Sequence, residues 1–376
     1  MVQIKEKKYC CGCSACSNVC PQNCISMQSD QEGFLYPQIN SDECINCGCC
    51  DRVCPIENRT IYESQRKTYV GYTLEDMVRM KSSSGGIFTL VAKEILSQGG
   101  VVFGAAFDEK YEVKHIAITD QVQLEMLQGS KYTQSDLGDT FLQVKKYLRE
   151  DKKVLYSGTA CQIAGLKKYL GGDQPNLVTL DVLCHGVPSP KVWKKYLEEK
   201  HYGSIKMISF RHKVKDWREY NMLIQYYNLP DYDVNHNQDP FMKLFLSNAS
   251  LRPSCYDCRF KEMDRPSDIT LGDCWGVKKC AAEMDDGKGV SLIVIHTEKG
   301  AKLFGQISGL LRAKELPLDD VLSPHDDARC SVNAHKNRDK MFKALEKGAS
   351  VEQLVEVLKP TLFQRVERKV YSWIKK

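Results

Sequence analysis

The chain has 376 residues, 42% of them hydrophobic and 27% charged, with 53 Lys plus Arg against 48 Asp plus Glu for a net charge of +5. That composition supports two or three domains with sizeable cores and excludes disordered, collagen-like and low-complexity classes. A small positive surplus with no dense basic block interleaved with aromatics offers no nucleic-acid footprint, so the 18 cysteines carry the question.

The first residues, Met1-Val2-Gln3-Ile4-Lys5-Glu6-Lys7-Lys8, lack the apolar stretch of a secretory signal, and no window approaches 18 uninterrupted apolar residues. The expected compartment is the cytoplasm, where clustered thiols more often bind metal than form disulfides.

Eleven of the 18 cysteines fall between Cys10 and Cys54. Cys10-x2-Cys13-x2-Cys16-x3-Cys20-Pro21 recurs 34 residues later as Cys44-x2-Cys47-x2-Cys50-x3-Cys54-Pro55. Three cysteines at that spacing wrap three corners of a 4Fe-4S cubane, and the fourth serves the other cluster. The expected sets are therefore crossed: Cys10, Cys13, Cys16 and Cys54 on one cluster, Cys44, Cys47, Cys50 and Cys20 on the other. Zinc knuckles share the Cys-x2-Cys step but need neither the third cysteine nor the proline. Cys11, Cys24 and Cys49 stand outside the motif and read as small buried hydrophobes. This stretch resembles a bacterial two-cluster ferredoxin, which carries single electrons and transforms no substrate.

Residues 56–67 are polar and aperiodic, as a connector is. Beyond them, strands are expected at 68–73, 101–107, 111–118, 154–157, 177–183, 205–211, 222–227, 269–272 and 291–296. Helices are expected at 85–98, 140–150 and 161–170, and mostly helix from 339. Such alternation argues for an α/β body with parallel pairings. The fold class expected overall is α+β or α/β. A small ferredoxin-like domain (1–60) precedes a mixed α/β body in two parts (66–150 and 151–315) and a helical C-terminus (316–376).

In the body, Cys161 follows one expected strand and opens a helix, and Cys184 follows the next strand. If strand, helix and strand form one βαβ unit, both cysteines leave the same carboxyl edge of the sheet. Cys255-x2-Cys258 brings the count to four, enough for a third cubane. On spacing alone, core cysteines plus half a zinc site or a redox dithiol fit equally well. Ser82-Ser83-Ser84-Gly85-Gly86 precedes a helix and suits either a phosphate or ordinary capping. Gly129-Ser130-Lys131-Tyr132 is either a second cofactor contact or a polar loop. No Gly-x-Gly-x-x-Gly follows a strand and no Walker A sequence appears.

Gly158-Thr159-Ala160-Cys161-Gln162, Cys184-His185-Gly186, Cys255-x2-Cys258-Arg259-Phe260 and Asp268-Ile269-Thr270-Leu271-Gly272-Asp273-x-Trp275-Gly276 resemble the signature of the coenzyme F420 hydrogenase/dehydrogenase beta-subunit family. Ser83-Ser84-Gly85-Gly86 and Gly129-Ser130-Lys131-Tyr132 match it too, and the likeness spans roughly residues 66 to 310. The resemblance implies FAD beside a third 4Fe-4S cluster held by Cys161, Cys184, Cys255 and Cys258. It implies cofactor contacts from Ser83, Ser84, Gly85, Gly86, Ser130, Lys131, Tyr132, Gly158, Thr159 and Gln162. Cys274, inside the last motif, stands as a competitor for one ligand position. Cys280 and Cys330 have no motif around them and read as structural.

His185 and Lys131 are the candidate proton donors, because reducing an organic substrate takes protons as well as electrons. The function expected is an iron–sulfur flavoprotein oxidoreductase acting on a deazaflavin or another organic substrate. Its redox partner would be ferredoxin, a reduced deazaflavin or a nicotinamide. The alternatives are an electron-relay subunit wired to a partner oxidoreductase and a cluster protein without flavin. Phe363, Val366, Val370, Trp373 and Ile374 repeat at helical spacing among basic residues, a pattern for a packed helix or for weak contact with a membrane surface.

Overall fold

Short apolar runs separated by cysteine loops can build only small elements, and the first 56 residues do so. The computed structural model describes residues 4, 6–62, 66–200, 203–322 and 328–359. Helices α1 (Ala15–Val19) and α2 (Cys49–Arg52) flank an antiparallel hairpin of β1 (Ile25–Ser29) and β2 (Leu35–Ile39). Each helix is entered through a left-handed residue, Ser14 at φ 58° and Gly48 at φ 69°, so the chain leaves each cysteine loop by a sharp turn. The doubled sequence motif is thus a doubled structural unit.

The body begins with β3 (Lys67–Thr73), helices α3 (Asp76–Lys81) and α4 (Ile87–Ser97), and strands β4 (Val101–Phe107) and β5 (Val113–Ile118). It continues through α5 (Thr140–Arg149), β6 (Val154–Thr159), α6 (Ala160–Leu170), β7 (Leu177–Val182) and α7 (Pro190–Lys200). A separate antiparallel sheet of β8 (Ile205–His212), β9 (Asn221–Tyr226) and β10 (Tyr232–Asn235) follows, then α8 (Pro240–Leu246). The chain returns to the main sheet with β11 (Ile269–Asp273), α9 (Val277–Cys280), β12 (Ser291–Ile295), α10 (Glu298–Ile307) and β13 (Leu311–Glu315). Three helices close it: α11 (Leu318–Val321), α12 (Arg338–Glu346) and α13 (Val351–Leu358).

The main sheet has eight strands in the order β13-β3-β12-β11-β7-β6-β4-β5. Its centre is parallel, with β4, β6, β7 and β11 side by side, and both flanks are antiparallel. Alternate residues of the central strands face opposite sides, as the period of two requires. Val102, Leu155 and Leu180 meet Ile87, Leu90, Val91 and Ile95 of α4 on one face. Val101, Phe103, Val154, Tyr156 and Leu177 meet Phe141 and Val144 of α5 and Ile163 and Leu166 of α6 on the other.

That second face also receives Cys11, Cys13, Ala15, Val53 and Ile56, so the N-terminal unit packs directly on the α5–α6 side. Three cations strengthen the joint, Arg252 and Arg338 buried and Arg259 at the surface. Arg252 donates to the Cys10 carbonyl at 2.8 Å, the Leu35 carbonyl at 3.0 Å and Gln134 Oε1 at 2.8 Å. Arg338 grips Glu32 with both terminal nitrogens, at 2.8 and 2.5 Å, and Arg259 donates to the Ile56 carbonyl at 3.0 Å. The final described helices are no appendage. Met341, Phe342, Leu345, Val351 and Leu354 share one core with Phe34, Trp193 and Phe241. The basic amphipathic stretch from Phe363 lies outside the described residues. Among those described, no helix is long and apolar enough to cross a membrane.

Candidate metal and cofactor site

The cysteines gather at three cavities. The first, of about 460 Å³, is lined by Cys10, Cys13, Cys16 and Cys54 together with Cys11. The second, of about 350 Å³, is lined by Cys20, Cys44, Cys47 and Cys50 together with Cys24 and Cys49. Each of these two cavities is lined by one of the four-cysteine sets that the spacing pairs, with Cys11, Cys24 and Cys49 beside them. Cys54 comes back to the first loop and Cys20 reaches the second. The third cavity, of about 670 Å³, is lined by Cys161, Cys184, Cys255 and Cys258, again with Cys11.

Among the described residues, no three His, Cys, Asp or Glu side chains converge tightly enough to hold a single metal ion. Four cysteine sulfurs per cavity are the donor set that a 4Fe-4S cluster takes. The donor chemistry fits 4Fe-4S groups in all three places.

The third cavity sits at the carboxyl ends of β6 and β7, which pair in parallel from Val154–Leu177 to Thr159–Val182. Cys161 occupies the first turn of α6. Its Sγ lies 3.1 Å from the Thr159 hydroxyl, and Thr159 and Gln162 close a reciprocal capping box around the helix start. Cys255 Sγ accepts the Val187 N–H at 3.4 Å. Arg252, Arg259, Lys261 and Arg265 surround the cavity. Arg265 is anchored by the fully buried Asp181 at 2.8 Å. Burial raises Cys184 to about 12 and pushes Cys255 and Cys258 upward, while Lys261 and Arg265 pull Cys184 and Cys258 back. Burial thus favours neutral thiols, so a metal cluster bound here would have to displace their protons.

Cys11 joins two cavities. It is buried, lines both the first and the third, and its thiol contacts Cys13 and Cys161. Helix α6 joins the same pair mechanically, because a Cβ built on Gly165 would lie 2.8 Å from Cys13 Sγ. Cys24 lies 3.4 Å from Cys20, sulfur to sulfur. The three cysteines read as inert hydrophobes therefore stand in the cavity walls. The doublets Cys10-Cys11 and Cys49-Cys50 were the available signal.

Of the residues expected at a flavin, Ser83, Ser130 and Tyr132 are linked, Tyr132 through Arg211, and many are already engaged within the fold. Ser83 Oγ meets Ser130 at both its hydroxyl, 2.8 Å, and its N–H, 2.9 Å. Ser84 donates to the Val290 carbonyl. Gly85 is glycine because a Cβ there would lie 2.4 Å from the Gly71 carbonyl oxygen, and Gly86 takes φ +84° at the start of α4. That helix has no side-chain cap. Gln162 is spent on the capping box and on Ser135, and Gly158 lies against it.

Lys131 turns into its own loop, donating to the carbonyls of Met126, Gln128 and Gly129. Burial lowers it to about 7, against carbonyl acceptors that favour its charged form. Tyr132 faces outward from that loop. Arg211, paired with Asp273 at 2.8 Å, reaches the Tyr132 hydroxyl at 3.2 Å and the Ser83 carbonyl at 3.3 Å. Sequence reasoning did not select Arg211, whose strand position in β8 looks solvated. Tyr132 stacks on Phe245 at 4.8 Å, and Phe245 meets the edge of His185 at 5.2 Å. His185 Nε2 is 2.6 Å from Asn248 Oδ1, in the wall of the third cavity. Asp268 is structural, accepting from the Thr179 N–H and hydroxyl at 2.7 Å each. Cys274 is outside the third cavity, 3.8 Å from Cys280.

Residues 9–58 match the 4Fe-4S dicluster domain. Residues 68–141 match the N-terminal part, and residues 151–318 the C-terminal part, of the coenzyme F420 hydrogenase/dehydrogenase beta subunit. Among solved structures, the chain is similar to a chain of the xenon-derivatised F420-reducing NiFe hydrogenase complex from Methanosarcina barkeri. The two are 16% identical, over 79% of this chain and 90% of that one, with a TM-score of 0.48. No curated protein matches the sequence.

Proposed function

The chain belongs to the coenzyme F420 hydrogenase/dehydrogenase beta-subunit family, and on that premise we propose that it is an iron–sulfur flavoprotein oxidoreductase with three 4Fe-4S clusters and FAD. Its dicluster domain makes it an iron–sulfur electron-transfer protein of an oxidoreductase family. The observation that carries the finer reading is the grouping of twelve cysteines into three cavities of four, two of them sharing Cys11.

In this reading Cys10, Cys13, Cys16 and Cys54 hold one cluster, Cys44, Cys47, Cys50 and Cys20 a second, and Cys161, Cys184, Cys255 and Cys258 a third. The flavin, when bound, supplies the conversion between one-electron and two-electron chemistry. Its phosphates would meet the uncapped start of α4 beside Ser83, and Tyr132 and Arg211 would border its ring. Arg211 and the α4 terminus offset its negative charge. The aromatic run Tyr132, Phe245, His185, stacked at its first contact and edge-on at its second, spans the interval from that face to the third cavity. Ferredoxin, a reduced deazaflavin or a nicotinamide would serve as the redox partner, and a deazaflavin or another organic compound as substrate. Anaerobic purification with metal and flavin analysis tests this. About 12 iron per chain and releasable FAD are expected, and stoichiometric zinc without flavin overturns it.

One observation favours a second reading, a relay subunit serving a partner oxidoreductase. Both proton-donor candidates are engaged inside the protein, His185 with Asn248 and Lys131 with its own loop. Turnover of substrate by the isolated chain with dithionite separates the two, since a relay subunit shows none.

A further inference from the structure

Cys274 follows β11 and Cys280 ends the four-residue α9. Their sulfurs lie 3.8 Å apart, and both are free thiols. Neither lines any of the three sulfur-walled cavities, so the proposed clusters leave this pair unused. A disulfide requires sulfurs about 2.05 Å apart. Closing the remaining gap takes a rotation of the half-buried Cys280 side chain at the end of α9.

We propose that Cys274 and Cys280 form a reversible disulfide by exchange with a low-molecular-weight disulfide. Exposure assigns the order of events. Cys274 is 1% exposed, whereas Cys280 is half-buried and follows Lys278 and Lys279 directly. The Cys280 thiolate attacks the external disulfide, forms a mixed disulfide and releases one small thiolate. Cys274, deprotonated as it approaches, displaces the second small thiol and closes the bond. Two protein thiols and one external disulfide become one protein disulfide and two external thiols, so electrons and protons balance without another oxidant.

The bond would close a loop around Trp275. That ring is half-exposed and stacks on Trp217 at 4.9 Å with planes 12° apart. The Arg211 guanidinium lies 5.2 Å from it and pairs with Asp273, the residue before Cys274. Oxidation would therefore stiffen the segment that holds Arg211 toward Tyr132 and Ser83. The thiol chemistry itself does not depend on flavin or clusters being present.

The test incubates anaerobically purified full-length protein with excess oxidised glutathione, quenches with acid and an alkylating agent, and maps the peptides by mass spectrometry. Trypsin cuts after Lys278 and Lys279, so a 274–280 bond appears as a linked peptide pair. The pair is expected to form at unchanged iron content, to vanish with dithiothreitol and to be absent in Cys280→Ser. Cys274→Ser is expected to stop at glutathione on Cys280, and Trp fluorescence should change as the bond closes. Full alkylation of both cysteines after treatment, or a link that appears only as iron is lost, overturns the proposal.

Discussion

Replacing Arg252 by Met tests whether one buried cation docks the N-terminal unit. Arg252 is 0% exposed and its guanidinium makes three hydrogen bonds, two of them to main-chain carbonyls of the unit, at Cys10 and Leu35. It also lies over the Tyr36 ring at 4.3 Å. Met keeps much of the stem's volume and all of its apolar contact, so the change isolates the polar part. Each buried acceptor left without a donor costs ~1–3 kcal/mol, which for three gives a gross loss of ~3–9 kcal/mol. Relief from burying a guanidinium offsets part of that, and ~3–5 kcal/mol remains, the usual loss when one partner of a buried charged group is removed. For a protein of this size that is a fall in Tm of roughly 4–6 °C. Because two of the three acceptors belong to the unit, amide exchange should rise first in residues 6–56. Arg252→Lys, with one nitrogen for three acceptors, should fall between. An Arg252→Met protein that melts within about 1 °C of the parent, with unchanged exchange in residues 6–56, refutes the argument.

Other outcomes are specific enough to check. Gly165→Ala would ordinarily gain ~1 kcal/mol of helix propensity, but its Cβ would meet Cys13 Sγ. A loss of ~1–3 kcal/mol of stability from overpacking is expected instead, with iron lost from the first cavity. Cys184→Ser should remove about four of the 12 proposed iron atoms and leave the rest, read by iron assay and by spectra of the N-terminal clusters. Acid sensitivity follows from His115 and His296, which burial lowers from 6.5 to about 4. Both are held neutral in the fold, so their contribution is whole above pH 6.5 and is lost as pH falls toward 4. At ~1.4 kcal/mol per pH unit the loss reaches ~3 kcal/mol each. Denaturant midpoints measured between pH 7 and pH 4.5 give the slope, which His296→Gln should flatten.

The sequence made elements and ligand spacing legible because both are local. Apolar period and cysteine interval survive in one dimension, so β6, α6 and β7 are found where expected and Cys161 and Cys184 emerge at one sheet edge. The docking of the N-terminal unit was hidden for the opposite reason. It rests on Arg252, Arg338 and Arg259, and a charged residue reads as solvated until its partners, more than 200 positions away, are known. The separate sheet of β8, β9 and β10 was equally invisible, since a strand's pattern does not name its neighbour. Cys11 and Cys24 are buried among apolar residues as expected, whereas Cys49 is only half-buried; that all three also line sulfur-walled cavities depends on loop packing that one dimension does not record. Gly85 carries no Cβ where the Gly71 carbonyl lies close, a contact that a sequence pattern does not record.

Helix α6 carries Cys161 in its first turn and presses Gly165 on Cys13 one turn later. That interval is about 6 Å of hydrogen-bonded backbone. The separation between the first and third cavities is therefore gauged by a rigid rod, with no flexible tether in the measurement. Inserting a single residue between Cys161 and Gly165 would swing one contact by about 100° around the axis relative to the other. Divergence can reshape the loops around either cavity, but the gauge between them changes only by whole turns of helix.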